Sequence, residues 1–165
     1  MVSMSRPPMV IYKTEAEYFE HYKNIYCRNA IYTSDNIRVY FRENMFKHAF
    51  SECVDKSNPK SKLNSRFNLL RARYINWIKY TLESPDSKLY QGYDNNNKTV
   101  MPHRRVAVVN NDKYRVVIEM FYKGDVLCAQ FRTAFYADNS YNSIKKSPVW
   151  SLEECKKQLK PKDKK

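Results

Sequence analysis

The stretch from Lys88 to Ala137 constrains this chain more than any other. Four alternating segments follow one another there: "KLYQGYD", "RRVAVVN", "KYRVVIEMFYK" and "LCAQFRTAFYA". The turn signals "NNNKTVMPH", "NND" and "KGD" separate them. Alternation of apolar and polar residues between such turns reads as strands. Sequential strands joined this tightly run antiparallel, so the segment is an antiparallel meander of four strands.

Turn length then fixes who faces whom. With two-residue loops at Asn111-Asp112 and Gly124-Asp125, Glu119 lies opposite Arg104 on one side and Gln130 on the other. Arg132 becomes its diagonal neighbour, and Val117 and Phe121 flank it on the same face. A three-residue loop in the first hairpin would put Arg105 in place of Arg104, so both are kept. The opposite face collects Ala107, Val109, Val116, Ile118, Met120, Ala129, Phe131 and Phe135, a surface suited to covering by helices. The remaining open face bears Arg104, Glu119, Gln130, Arg132 and Tyr136.

The covering helices are legible upstream. Thr14 to Glu17 has capping-box spacing and opens a helix to about Ala30, with Tyr18, Tyr22, Ile25 and Tyr26 on one side. "IRVYF" alternates as a short strand, and a helix over 44–53 aligns Phe46, Ala49, Phe50 and Cys53. A polar basic loop follows at 54–65. The longest predicted helix spans 67–82, with Leu70, Tyr74, Trp77, Ile78 and Leu82 in register, and Ser84-Pro85-Asp86 stops it. A short helix capped by Ser151 and a lysine-rich tail close the chain. Helices first and strands second is an α+β pattern, with N-terminal helices packed on one face of a four-stranded antiparallel sheet. Residues 1–36 form an N-terminal helical arm, 37–150 the main domain, and 151–165 the last helix and tail. The aromatic-rich first helix has two roles open to it, completing the core or docking a partner.

Charge narrows the partner. Thirty Lys and Arg against 17 Asp and Glu give +13, of which about +8 remains once the tail from Lys156 is set aside. That excess favours a polyanion. No segment approaches the ~18 apolar residues of a membrane helix, and the opening residues lack the apolar run of a signal peptide. A cytoplasmic protein with no membrane partner is expected. Cys27, Cys53, Cys128 and Cys155 are too scattered for a zinc site or a disulfide framework. Neither a metal nor another cofactor is signalled.

Arginines, a carboxylate and a tyrosine on a rigid sheet suit phosphodiester chemistry. Cleaving RNA without a metal needs a base for the 2′-hydroxyl proton and an acid for the leaving 5′-oxygen. It also needs fixed cations for charge growing on the phosphoryl oxygens, a task guanidinium performs bidentately. Glu119 or His48 is the candidate base, and His48 or Tyr136 the candidate acid. His48 falls outside the apolar stripe of its helix. His103 is the second histidine candidate and His21 the weakest. Lys47, Arg71, Arg73, His103, Arg115 and Gln130 are candidate RNA contacts. The plain alternative is a cross-strand Arg–Glu pair that only solubilises an exposed sheet.

The blocks "IRVYFRENMFKHAF", "RFNLLRARYINWIKYTLESPDSKLYQGYD", "RRVAVV", "YRVVIEM", "FRTAFYAD" and "SPVW" resemble the phage-type branch of the barnase–EndoU–colicin–RelE-like ribonuclease superfamily. The resemblance covers about Ile37–Trp150. It implies metal-independent RNA cleavage on the sheet face away from the helices, in a toxin or phage-encoded effector. Block by block it implies His48, Arg104 or Arg105, Arg132 and Thr133 as functional positions. Simple alternation puts Thr133 with Phe131 and Phe135 on the helix side, unless a bulge turns it outward; the core placement is the expectation here.

The leading expectation is therefore an endoribonuclease acting on RNA, with single strands favoured because Tyr and Arg stack on exposed bases. A neutralising antitoxin or other acidic protein is a further candidate partner. The alternatives are a non-catalytic RNA-binding module of the same fold and a basic interaction protein that meets an acidic protein.

Overall fold

The computed structural model describes residues 6–53, 65–94, 99–100, 105–110, 112–136 and 148–158. Helix α1 (Glu15–Tyr22) starts where Thr14 accepts a hydrogen bond from the Glu17 amide, and it widens into a π-helical turn over Lys23–Cys27. Its three tyrosines, Tyr18, Tyr22 and Tyr26, are fully buried. They pack with Phe41, Phe46, Phe50 and Phe131 in the main core, and the Tyr22 hydroxyl donates to the Arg42 carbonyl at 2.7 Å. The N-terminal helix thus completes the core, the first of its two roles.

Strands β1 (Ile31–Tyr32) and β2 (Arg38–Tyr40) form a small hairpin, and helix α2 (Met45–Phe50) follows. Strands β3 (Ser51–Cys53) and β4 (Ser65–Phe67) pair with each other. The single helix expected over 67–82 is two. Phe67 stays extended opposite Ser51, α3 (Leu69–Ala72) is capped by Asn68, and α4 (Ile75–Glu83) begins after a break at Tyr74. The break has a cause. The Arg73 carbonyl accepts from the Val10 amide at 2.9 Å, and the Trp77 amide turns to Tyr74 at 2.8 Å. Leu70, expected on the apolar stripe, is 64% exposed.

The main sheet has six strands rather than four, in the order β1-β2-β10-β9-β8-β5. Its meander comprises β5 (Lys88–Gln91), β8 (Arg105–Val109), β9 (Tyr114–Lys123) and β10 (Val126–Tyr136). The strand expected over 88–94 ends at Gln91, and β6 (Tyr93–Asp94) pairs with β7 (Thr99–Val100) as a separate ribbon. The two extra sheet strands come from the helical half of the chain, and β2 lies parallel to β10. Helix α5 (Leu152–Gln158) closes the described chain, the Ser151 hydroxyl accepting from the Glu154 amide. Among the described residues no helix is long and apolar enough to cross a membrane.

Two details of register decide the faces. The β8–β9 loop carries three residues beyond the Asn110–Tyr114 pair, so Arg105 stands opposite Glu119. This moves Ala107 and Val109 off the helix side, where Val106 and Val108 take their places. The second detail is a bulge in β10 at Arg132, between Phe131 opposite Ile118 and Thr133 opposite Val117. Beyond it every side chain changes face. Thr133 and Phe135 turn away from the helices, and Ala134 and Tyr136 turn toward them. Tyr136 therefore pairs with the buried Tyr114 and lies 5.9 Å from the Tyr74 ring, on the helix side. Both expectations, Thr133 in the core and Tyr136 on the open face, are corrected by this one extra residue.

Candidate active site

The pairings lay out the face away from the helices as a grid. One row runs Tyr40–Gln130–Glu119–Arg105 across β2, β10, β9 and β8. The row above it runs Thr133–Val117–Ala107–Tyr90, and the next Phe135–Arg115–Val109–Lys88. Below lie Arg38, Cys128 and Phe121. The face is less open than expected. Tyr90, Ala107 and Val109 form a second small apolar cluster with Phe135 packed against it.

Charge concentrates around Glu119. Its Oε2 stands 3.4 Å from Arg132 Nε and 3.6 Å from Arg105 Nη2. Both contacts are ion pairs by distance, yet neither is a hydrogen bond, and the Nε atoms of Arg105, Arg115 and Arg132 are buried with no hydrogen-bond partner among the described residues. Arg115 is half-buried, and burial, followed by the nearby Arg105, pushes its pKa down to about 10. It stays charged at neutral pH. Its guanidinium lies 4.6 Å from the Phe135 ring centroid, and that of Arg71 lies 5.6 Å from the same ring. Two guanidiniums thus meet one carboxylate, and two more share the Phe135 ring on the same face.

His48 joins this cluster because β2 is short. The strand ends at Tyr40, level with Gln130, and the chain turns into α2, which packs against β10. His48 is exposed on α2. Its pKa falls below 6.5, first through desolvation and then through Arg132, Arg105 and Arg71. Three guanidiniums from three elements therefore act on one imidazole.

Gly92 sets the position of Arg105. Its amide donates to the Arg105 carbonyl at 2.7 Å, and a Cβ there would fall 2.6 Å from Arg105 Cγ. A glycine inside a strand-like segment signals such a close approach.

Of the expected site residues, His48, Arg71, Arg105, Arg115, Glu119, Gln130, Arg132 and Thr133 share this face or its rim. Arg104 and His103 lie outside the described residues. Lys47 is exposed on α2. Arg73 lies under the N-terminal arm, and no described contact links it to the cluster. His21 joins Tyr12 at 2.9 Å and Asn76 at 2.6 Å, which ties that arm to α4. A shallow depression along α1, lined by Tyr12, Glu17, Glu20 and His21 among others, shares no residue with the cluster. Among the described residues no group of three or more His, Cys, Asp or Glu gathers as a metal site. The sequence does not single out Arg38 or Tyr40, and simple alternation puts Phe135 on the helix side, from which the structure turns it away. The alternation of "IRVYF" puts Arg38 and Tyr40 on one face, but nothing local says that this strand joins β10.

No protein-family model, curated protein or solved structure matches this chain.

Proposed function

We propose that this chain is an endoribonuclease that cleaves single-stranded RNA by 2′-hydroxyl attack, without a metal ion, at the Arg105–Glu119–Arg132 cluster. The observation that carries the reading is that Arg105 and Arg132 meet at one carboxylate, with Arg115 and Arg71 on the neighbouring Phe135 ring and His48 in the field of Arg132, Arg105 and Arg71. Such a cluster is electrostatically unfavourable by itself, because like charges in partial burial repel with little solvent to screen them. An anionic phosphodiester relieves that repulsion, and a phosphorane-like transition state with more charge relieves it further.

The roles follow from placement. Arg105 and Arg132 clamp the scissile phosphate, and Arg115 and Arg71 stand behind them on Phe135. Both ion pairs of Glu119 run to Oε2, so Oε1 is the atom assigned to take the 2′-hydroxyl proton. His48 gives a proton to the leaving 5′-oxygen, because a bound phosphate offsets the arginines and restores its affinity for that proton. Thr133 Oγ1 lines the same face. The family resemblance of the sequence blocks implies the same chemistry and, as positions, His48, Arg104 or Arg105, Arg132 and Thr133.

The test is cleavage of mixed cellular RNA in excess EDTA beside Arg132→Ala. Discrete products with 2′,3′-cyclic phosphate ends from wild type, and none from the variant, are expected. Intact RNA with a salt-sensitive gel shift would mean a binding module instead. RNA neither cut nor shifted at physiological salt would leave a basic protein for an acidic protein partner.

A further inference from the structure

The same sheet face carries a second basic and aromatic group, one strand beyond the clamp. Arg38 lies 4.6 Å from the Tyr40 ring centroid and 5.9 Å from that of Tyr32. Lys123 stands 4.9 Å from the Tyr40 ring, and the Phe121 ring lies 6.1 Å from it. Tyr32 is 44% exposed, Lys123 is exposed, and Tyr40, Arg38 and Phe121 are half-buried. The Arg38 Nε is buried with no acceptor among the described residues. No acidic side chain is paired with this group among the described residues. Its position is set by the parallel pairing of β2 with β10, which puts Tyr40 in one row with Gln130, Glu119 and Arg105.

We infer that Tyr32, Arg38 and Tyr40 form a stacking subsite for a nucleotide of single-stranded RNA flanking the clamped phosphate, with Gln130 between the two. The inference rests on the ribonuclease reading and extends it to how the substrate strand is held. Rings interleaved with guanidiniums stack unpaired bases whatever their identity, while the adjacent cations follow the backbone. A duplex hides its base faces and gains nothing here. The distance fits. Two strand spacings separate Tyr40 from Glu119, about 10 Å. That is about three nucleotides at the ~3.4 Å rise of a stacked strand, and fewer in an extended one.

The experiment is a fluorescence-anisotropy titration of the full chain with uncleavable 2′-O-methyl oligouridylates, a dinucleotide and a longer strand. Wild type should bind the longer strand more tightly by roughly 5- to 150-fold for one stacked base. Tyr40→Leu should abolish that advantage and leave dinucleotide binding unchanged, while Tyr40→Phe keeps it, because stacking needs the ring and not the hydroxyl. Arg38→Gln should lower the slope of affinity against salt by about 0.7, one phosphate on a single strand, whereas Tyr40→Leu leaves the slope alone. Tyr32→Ala, at an exposed edge, repeats the test should Tyr40→Leu fail to fold by circular dichroism. Unchanged length dependence in Tyr40→Leu and Tyr32→Ala, with both oligonucleotides weakened by Arg132→Ala, overturns the subsite and leaves the clamp standing. Wild type binding neither strand at physiological salt overturns the ribonuclease reading and the subsite with it.

Discussion

Glu119 Oε2 lies 3.4 Å from Arg132 Nε, and the same oxygen, not its partner, is the one that Arg105 approaches. The two arginines reach it by different routes. Arg105 comes from directly across the β8–β9 ladder, and Arg132 comes from the one residue of β10 that pairs with nothing. Glu119 is thereby anchored through one oxygen, with the other outside both ion pairs. Glu119→Gln keeps shape and removes the base, so kcat on RNA should fall by roughly 10²- to 10⁴-fold with little change in KM. The check is steady-state kinetics on a fluorescent oligoribonucleotide. Loss confined to KM would make Glu119 an anchor for the arginines and nothing more.

His48 should show its neighbours in its titration. Its pKa lies below 6.5 in the free protein. Removing a positive neighbour favours the protonated ring, so Arg132→Ala should raise that pKa, and a bound phosphate should raise it as well. Proton NMR of the ring signals across pH 4 to 8, an interval bracketing the ordinary imidazole range, measures all three. A pKa unmoved by either change would separate His48 from the cluster. The acid role has its own check. His48→Ala should cripple cleavage of RNA but spare a uridine 3′-phosphodiester with an aryl leaving group, which needs no protonation.

How much of this was legible in the sequence depends on how locally each feature is written. The Lys-Gly-Asp turn fixes Gln130 opposite Glu119, and Gly124 with φ +64° meets the demand of that two-residue loop. The choice between Arg104 and Arg105 hung on a single loop residue, which "NND" does not specify. The bulge at Arg132 left no mark, because "FRTAFYA" alternates acceptably in either register. The parallel joining of β2 to β10 was also silent, since it pairs segments far apart in the chain and has no turn to announce it. The break at Tyr74 was hidden for a related reason: the residue that takes the Arg73 carbonyl is Val10, at the other end of the helical half.

Gly92→Ala tests positioning without touching a chemical group. The added methyl would meet Arg105 Cγ at 2.6 Å and its backbone at 3.0 Å, so Arg105 must shift. Overpacking of this kind costs about 1–3 kcal/mol, and displacement of a clamp by about 1 Å costs on the order of 10²-fold in rate. Thermal unfolding and cleavage kinetics should both show loss. Wild-type kcat in a folded Gly92→Ala protein would mean that Arg105 does not need its present place.

The N-terminal helix provides the last test, of the body that carries the site. Tyr18, Tyr22 and Tyr26 are fully buried among Phe41, Phe46, Phe50 and Phe131, and Phe131 immediately precedes the bulge. Each buried aromatic is worth about 1.5–3 kcal/mol, against a typical total stability of roughly 5–15 kcal/mol. A chain beginning at Ile37 loses all three, together with β1 of the main sheet. It should therefore show no cooperative thermal transition by circular dichroism. Tyr22→Phe, which keeps the ring but strands the Arg42 carbonyl, should stay folded and lose about 1–3 kcal/mol. Cooperative melting of the shortened chain would show that residues before Ile37 are an attachment rather than part of the core.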